Sequence, residues 1–172
     1  MNSEGLELTC QQCGGVLQLG ADAARCEKGH RYPLVLGRIL DMVADREGSS
    51  NAEEARLAAT MSLAFEQATY AELLALLDGY HSETPDRLRS IYTDYVRSAI
   101  SRNRRMVLTF RTQALQWYDL SPDGSALELG CGFGGSFPVL SQLYKRVAGI
   151  EPSLPRLIIA AKLLDEQNIH NV

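Results

Sequence analysis

The stretch Ala126-Leu127-Glu128-Leu129-Gly130-Cys131-Gly132-Phe133-Gly134-Gly135 constrains this chain more than any other feature. Its glycines let the backbone turn sharply and let a ligand come close to main-chain N–H groups. The apolar run Ala126–Leu129 before them reads as a short strand buried on both faces, as in the middle of a parallel sheet. Ser136 to Tyr144 reads as a helix with Pro138 in its first turn, and Arg146 to Ile150 as a second buried strand. Glu151 ends that strand, where a carboxylate is placed to hold a ribose diol with two hydrogen bonds.

Two nucleotide-binding designs share this plan. Gly130-x-Gly132-x-x-Gly135 satisfies the dinucleotide fingerprint, and Glu151 falls near the expected spacing. Glu128 separates the two. A pyrophosphate is anionic and gains nothing from a carboxylate beside its loop, whereas a ligand with a sulfonium and an ammonium does. The pattern E-L-G-C-G-F-G followed by G-I-E-P-S resembles motifs one and two of class I S-adenosylmethionine-dependent methyltransferases. The resemblance implies that Gly130, Gly132 and Gly134 line the methionine half of S-adenosylmethionine. It also implies that Glu128 helps hold the amino group, often through water, and that Glu151 holds the ribose hydroxyls. It assigns no catalytic residue. Cys131 lies inside the loop with no base near it in sequence, so it reads as a small residue the loop tolerates rather than a nucleophile.

A second cluster sits near the N-terminus. Cys10-Gln-Gln-Cys13 is followed by Cys26-Glu-Lys-Gly-His30. Two thiolates separated by two residues can curl onto one ion, with Gly14 and Gly15 supplying left-handed backbone. Cys26 and His30 form a second pair on the other arm of a hairpin. Three sulfurs and an imidazole are a standard structural zinc set, with no position left for a reacting water. A redox CxxC would normally open a helix, but Gly-Gly-Val-Leu follows here. So short a segment lacks the core to fold alone, so metal binding would supply its folding energy. Residues 10–43, with "CQQCGG", "RCEKGHRYPLVLGRIL" and "DMV", are similar to the zinc ribbons of small activator subunits of tRNA and protein methyltransferases, and to ribbons that open some rRNA guanine methyltransferases. In that resemblance the Tyr-Pro after His30 docks the returning strand.

Between these clusters the chain is helical in pattern. Residues 52–119 contain only Gly79 and Pro85 as breakers. Leu57, Met61, Phe65, Leu73, Leu76 and Leu77 recur at helical spacing, with Ser50 or Asn51 as cap, Glu53 and Glu54 in the first turn, and Gly79 as a stop. Thr84-Pro85-Asp86 is a second start signal. The period continues through Leu88, Ile91, Tyr92, Tyr95, Val96, Ala99 and Ile100, then Val107, Phe110, Ala114 and Trp117, with a break near Ser101-Arg102-Asn103. From Asp86 to Arg111 seven arginines face two aspartates, a net +5. A solvated helix face explains them most simply; an RNA-facing patch, or an arginine reaching the cofactor carboxylate, is the sharper alternative. Tyr92, Tyr95, Trp117 and Tyr118 read as core rather than as a base-stacking platform. His81 and His170 have no partner at ligand spacing and read as surface residues.

The chain has 172 residues and a net charge of −4, so bulk charge does not hold it to nucleic acid. The N-terminus has no basic, then apolar, leader, and the apolar stretch Leu34 to Val43 is interrupted by Arg38 and Asp41. A soluble cytoplasmic protein is expected, with no membrane partner. The expected fold is α/β, with a zinc β-ribbon at 1–45, a helical linker or cap at 46–120, and the opening β-α-β-α of a Rossmann-like methyltransferase sheet at 121–172. The later strands of that fold are not in this sequence, so the expectation is a truncated, incomplete methyltransferase domain that is inactive alone, or one completed by a partner chain or by self-association through the open sheet edge. The function expected is S-adenosylmethionine-dependent methyl transfer to a small molecule, RNA or protein, with Zn²⁺ as structural metal. The alternative is a zinc-dependent protein- or RNA-interaction module with a non-catalytic cofactor loop.

Overall fold

The computed structural model describes residues 7–43, 52–80, 94, 98–114 and 121–172. Contacts divide the chain into two compact units, Met1–Gly48 and Ser49–Val172. The helices of the middle segment thus belong to the same unit as the glycine loop. No helix among the described residues is long and apolar enough to cross a membrane.

The first unit is an antiparallel sheet of four short strands in chain order: β1 (Leu17–Leu19), β2 (Ala23–Cys26), β3 (Arg31–Val35) and β4 (Ile39–Leu40). Its core is small: Cys10, Leu17, Ala24, Cys26 and Tyr32, with Leu8, Cys13, Leu40 and Met42 against it. Two of the five buried core residues are cysteines, so thiols occupy space that a self-sufficient domain would give to larger apolar side chains.

The second unit begins with α1 (Ala52–Ala64) and α2 (Tyr70–Tyr80). The sequence pattern runs through 65–69 without a break, but the chain turns there. Thr69 and Glu72 form a capping box: the Thr69 hydroxyl accepts from the Glu72 N–H at 3.2 Å, and the Glu72 carboxylate accepts from the Thr69 N–H at 2.7 Å. α2 continues through Gly79 to Tyr80. The caps at Ser50 and Asn51, the start at Thr84-Pro85-Asp86, His81, and the aromatic positions Tyr92, Tyr95, Trp117 and Tyr118 lie outside the described residues. α3 (Ala99–Ala114) is continuous, so the expected break at Ser101–Asn103 does not occur.

Strand β5 (Ser125–Leu129), α4 (Phe137–Leu143), β6 (Arg146–Ile150) and α5 (Leu154–Glu166) follow. β5 and β6 pair in parallel, with Glu128 opposite Gly149 and Leu129 opposite Ile150. The inner face carries Ala126 and Val147, which pack against Cys131, Phe137, Ala160 and Leu164. The expectation of strands buried on both faces is corrected here. β5 alternates in exposure, and Leu127, Leu129 and Ile150 are 53%, 75% and 55% exposed. Among the described residues the helices cover one face. α5 is buried on two sides: Ala160 and Leu164 meet the sheet, while α1 and α2 pack against the helix as well. α3 packs on α4. Beyond α5, the Val147 N–H donates to the Asn171 carbonyl at 2.7 Å, so the end of the described chain lies along β6.

Candidate metal centre and glycine loop

The metal-ligand candidates converge because two tight turns face each other across the β1–β2 hairpin. In the first, the Cys10 N–H donates to the Gly15 carbonyl and the Gly14 N–H to the Cys10 carbonyl, both at 2.8 Å, with Gly14 at φ 71°. Gly14 alone supplies the left-handed backbone; Gly15 does not. In the second, the Gly29 N–H donates to the Cys26 carbonyl at 2.9 Å, with Gly29 at φ 82°. The ligand atoms of Cys10, Cys13, Cys26 and His30 all lie within 4.8 Å of one another. The His30 Nδ1 is 3.3 Å from Cys10 Sγ and 3.4 Å from Cys26 Sγ, and Cys13 Sγ is 3.6 Å from Cys26 Sγ. Metal–sulfur bonds of about 2.3 Å and metal–nitrogen bonds of about 2.0 Å in a tetrahedron set edges of roughly 3.5–3.8 Å. The four side chains therefore fit one metal ion such as zinc.

Sequence reasoning placed Tyr32 only as a docking residue. In the structure its hydroxyl lies 3.2 Å from Cys10 Sγ and accepts the Gln11 N–H at 3.1 Å. With its lone pair engaged by Gln11, the hydroxyl is oriented to donate its proton to a Cys10 thiolate. Burial of Cys10 opposes ionisation, but that hydrogen bond and the Gln12 and Cys13 backbone N–H groups outweigh it and bring the thiol down to about 6. Cys13 moves the other way: the Gly15 N–H favours its thiolate, but burial and the neighbouring Cys10 and Cys26 prevail.

At the glycine loop, Gly130, Gly132 and Gly134 have φ of 72°, 53° and 74°, so the backbone itself demands glycine there. Most of the loop's N–H groups are already engaged. Gly130 and Cys131 both donate to the Ile150 carbonyl, at 2.7 and 3.1 Å; Gly132 donates to Glu151 Oε2 at 3.1 Å; Gly134 donates to the Cys131 carbonyl at 2.9 Å. Glu151 is 8% exposed, accepts the Ser153 N–H on Oε1 at 3.0 Å, and has Arg156 at 3.7 Å. It clamps the loop to the end of β6, and a diol would share it with these donors. Arg156 also lies over the Phe133 ring at 5.5 Å.

Glu128 projects from β5 to the helix-covered face. Its Oε2 is buried with no hydrogen-bond partner, and so is the hydroxyl of Ser136, which is 1% exposed. Burial raises the Glu128 pKa, and the nearness of Ser136 offsets only part of the rise. Cys131 is buried beside Phe137, and its thiol is pushed up to about 12 by burial and by Glu128 and Glu151. A thiol so held stays protonated at neutral pH. His170 is exposed and shares a hydrogen bond with Asn168. Sequence reasoning missed two residues at the loop, Ser136 and Asn103. A Ser at the end of a glycine run is a common cap and gave no distinct signal; here it makes no cap bond. Asn103 reaches the loop only through tertiary packing.

The chain matches no protein-family model, no curated protein and no solved structure.

Proposed function

We propose that residues 121–172 form the opening of a class I methyltransferase sheet that holds S-adenosylmethionine, and that Cys10, Cys13, Cys26 and His30 hold a structural zinc ion. One observation carries the cofactor reading: Glu128, on the strand leading into the loop, has a buried Oε2 with no hydrogen-bond partner, while the N–H groups of Gly130, Cys131, Gly132 and Gly134 are already engaged. A pyrophosphate needs free donors and no nearby anion, so the arrangement suits a cationic ligand better than a dinucleotide. Gly130, Gly132 and Gly134 would line the methionine half, Glu128 would face its ammonium, and Glu151 would share its oxygens with the ribose. The bound cofactor supplies an electrophilic methyl group; the protein's residues hold and orient it. The methyl acceptor is a small molecule, RNA or protein. Calorimetric titration tests the reading: S-adenosylmethionine or S-adenosylhomocysteine should bind and NAD should not. Binding of NAD with no response to either adenosyl ligand overturns it.

A second reading is an interaction module whose loop is non-catalytic. The open apolar face of Leu127, Leu129 and Ile150 favours it, because such a face is a contact surface by default. Absence of adenosyl-ligand binding together with stable metal binding would select it.

A further inference from the structure

An aminoacyl ligand is a zwitterion, and the loop has a clear partner only for its positive end. The N–H groups of Gly130, Cys131, Gly132 and Gly134 are committed to protein acceptors, so the first part of the loop has little to offer a carboxylate and a donor beside its Gly135 end matters. α3 brings one. A methyl group built on Gly135 would lie 3.0 Å from Asn103 Nδ2 and 3.1 Å from Ala99 Cβ, so the glycine is what allows this helix to sit against the loop. Ala99 and Asn103 are one helical turn apart and share that face. Ala99 is 5% exposed and anchors it. Arg111, two turns further on, stands over the Tyr144 ring at 5.4 Å, so α3 runs alongside α4 from the loop to the far end of that helix. Asn103 is half-buried, and among the described residues its amide has no hydrogen-bond partner. Its donor thus stands beside Gly135, and the next residue along, Ser136, has an unpartnered, buried hydroxyl.

We propose that Asn103 binds the carboxylate of the cofactor's aminoacyl end, with the Asn103 amide and Glu128 dividing the zwitterion between them. This rests on the S-adenosylmethionine reading and adds a ligand contact from outside the glycine motif. The role predicts selectivity rather than a general loss. S-adenosylhomocysteine carries the aminoacyl group; 5′-methylthioadenosine lacks it. Calorimetry on the full chain should show Asn103→Ala weakening S-adenosylhomocysteine roughly ten- to hundredfold, the loss for a hydrogen bond to a charged group. The same variant should bind 5′-methylthioadenosine as the parent does. Asn103→Asp, which sets a carboxylate against a carboxylate, should lose more than Asn103→Ala for the first ligand only. Equal losses for both ligands, or no loss for either, would overturn the role of Asn103 while leaving the cofactor reading intact. Failure of the parent chain to bind either ligand would overturn both.

Discussion

Glu128 is half-buried and its Oε2 is kept from water with no hydrogen-bond partner, which makes its charge a cost in the ligand-free protein. Burial holds its pKa above the ordinary 4.5. The folded chain therefore binds this proton more tightly than the unfolded chain does, so the group stabilises the fold below 4.5 and that contribution is lost as the pH rises through the folded value. Glu128→Gln is expected to raise the melting temperature at neutral pH, and the gain should shrink as melts are repeated below pH 4.5. A gain that does not change with pH would show that shape, not charge, is responsible. The same substitution should weaken S-adenosylmethionine, since a neutral amide loses the attraction to ammonium and sulfonium. Stability and affinity moving in opposite directions is the pattern expected of a group kept for binding.

The elements are held by close contacts that particular small residues permit. Gly149 sits across the pair from Glu128, beneath the Phe137 ring and the Cys131 sulfur. A methyl group added there would lie 2.7 Å from Cys131 Sγ and closer still to the ring. Gly149→Ala should therefore destabilise the second unit by about 1–3 kcal/mol, the usual cost of overpacking. Urea unfolding followed by the helical circular-dichroism signal measures this, and an unchanged midpoint would mean that Phe137 swings away freely. The α1–α2 turn rests on the Thr69–Glu72 capping box. Thr69→Ala should cost about 1 kcal/mol by the same measurement. The Thr-x-x-Glu signature was present in the sequence, but the continuous apolar period across 65–69 masked it.

At the scale of the molecule, the two units draw on different sources of stability. Met1–Gly48 has a small core built around thiols, whereas Ser49–Val172 has α5 buried between helices and sheet. Chelation of the metal is expected to unfold the first unit and leave the helical signal of the second. Limited proteolysis with mass spectrometry should then show cleavage confined to residues 7–43, and Cys13→Ser should reproduce it without chelator. Metal analysis should give one zinc per chain before treatment; a first unit that resists both would remove the metal from its folding. The sheet raises a separate expectation. Leu127, Leu129 and Ile150 form an open apolar face, and such faces drive association in water. Sedimentation should show self-association rising with concentration, and Leu129→Lys should reduce it. Monomer at every concentration in the parent chain would remove that expectation.

The residues that the sequence determined on its own are those whose chemistry is tied to local spacing. Cys10 and Cys13, and Cys26 and His30, share a turn each because the members of each pair are only three and four positions apart, with glycines at the bends. The strand–loop–helix–strand order around Gly130–Gly135 was legible for the same reason: left-handed backbone positions and apolar runs are local properties. Tertiary structure alone decided what depends on neighbours far along the chain. Apolar content made β5 look buried on both faces, yet exposure depends on what covers the sheet, and the helices among the described residues cover one side. Glu151 read as a ribose anchor at the end of its strand, but the glycine loop brings the Gly132 N–H onto its Oε2. Asn103 lies 32 positions before Gly135, and no period or motif joins them; only the packing of α3 on the loop does.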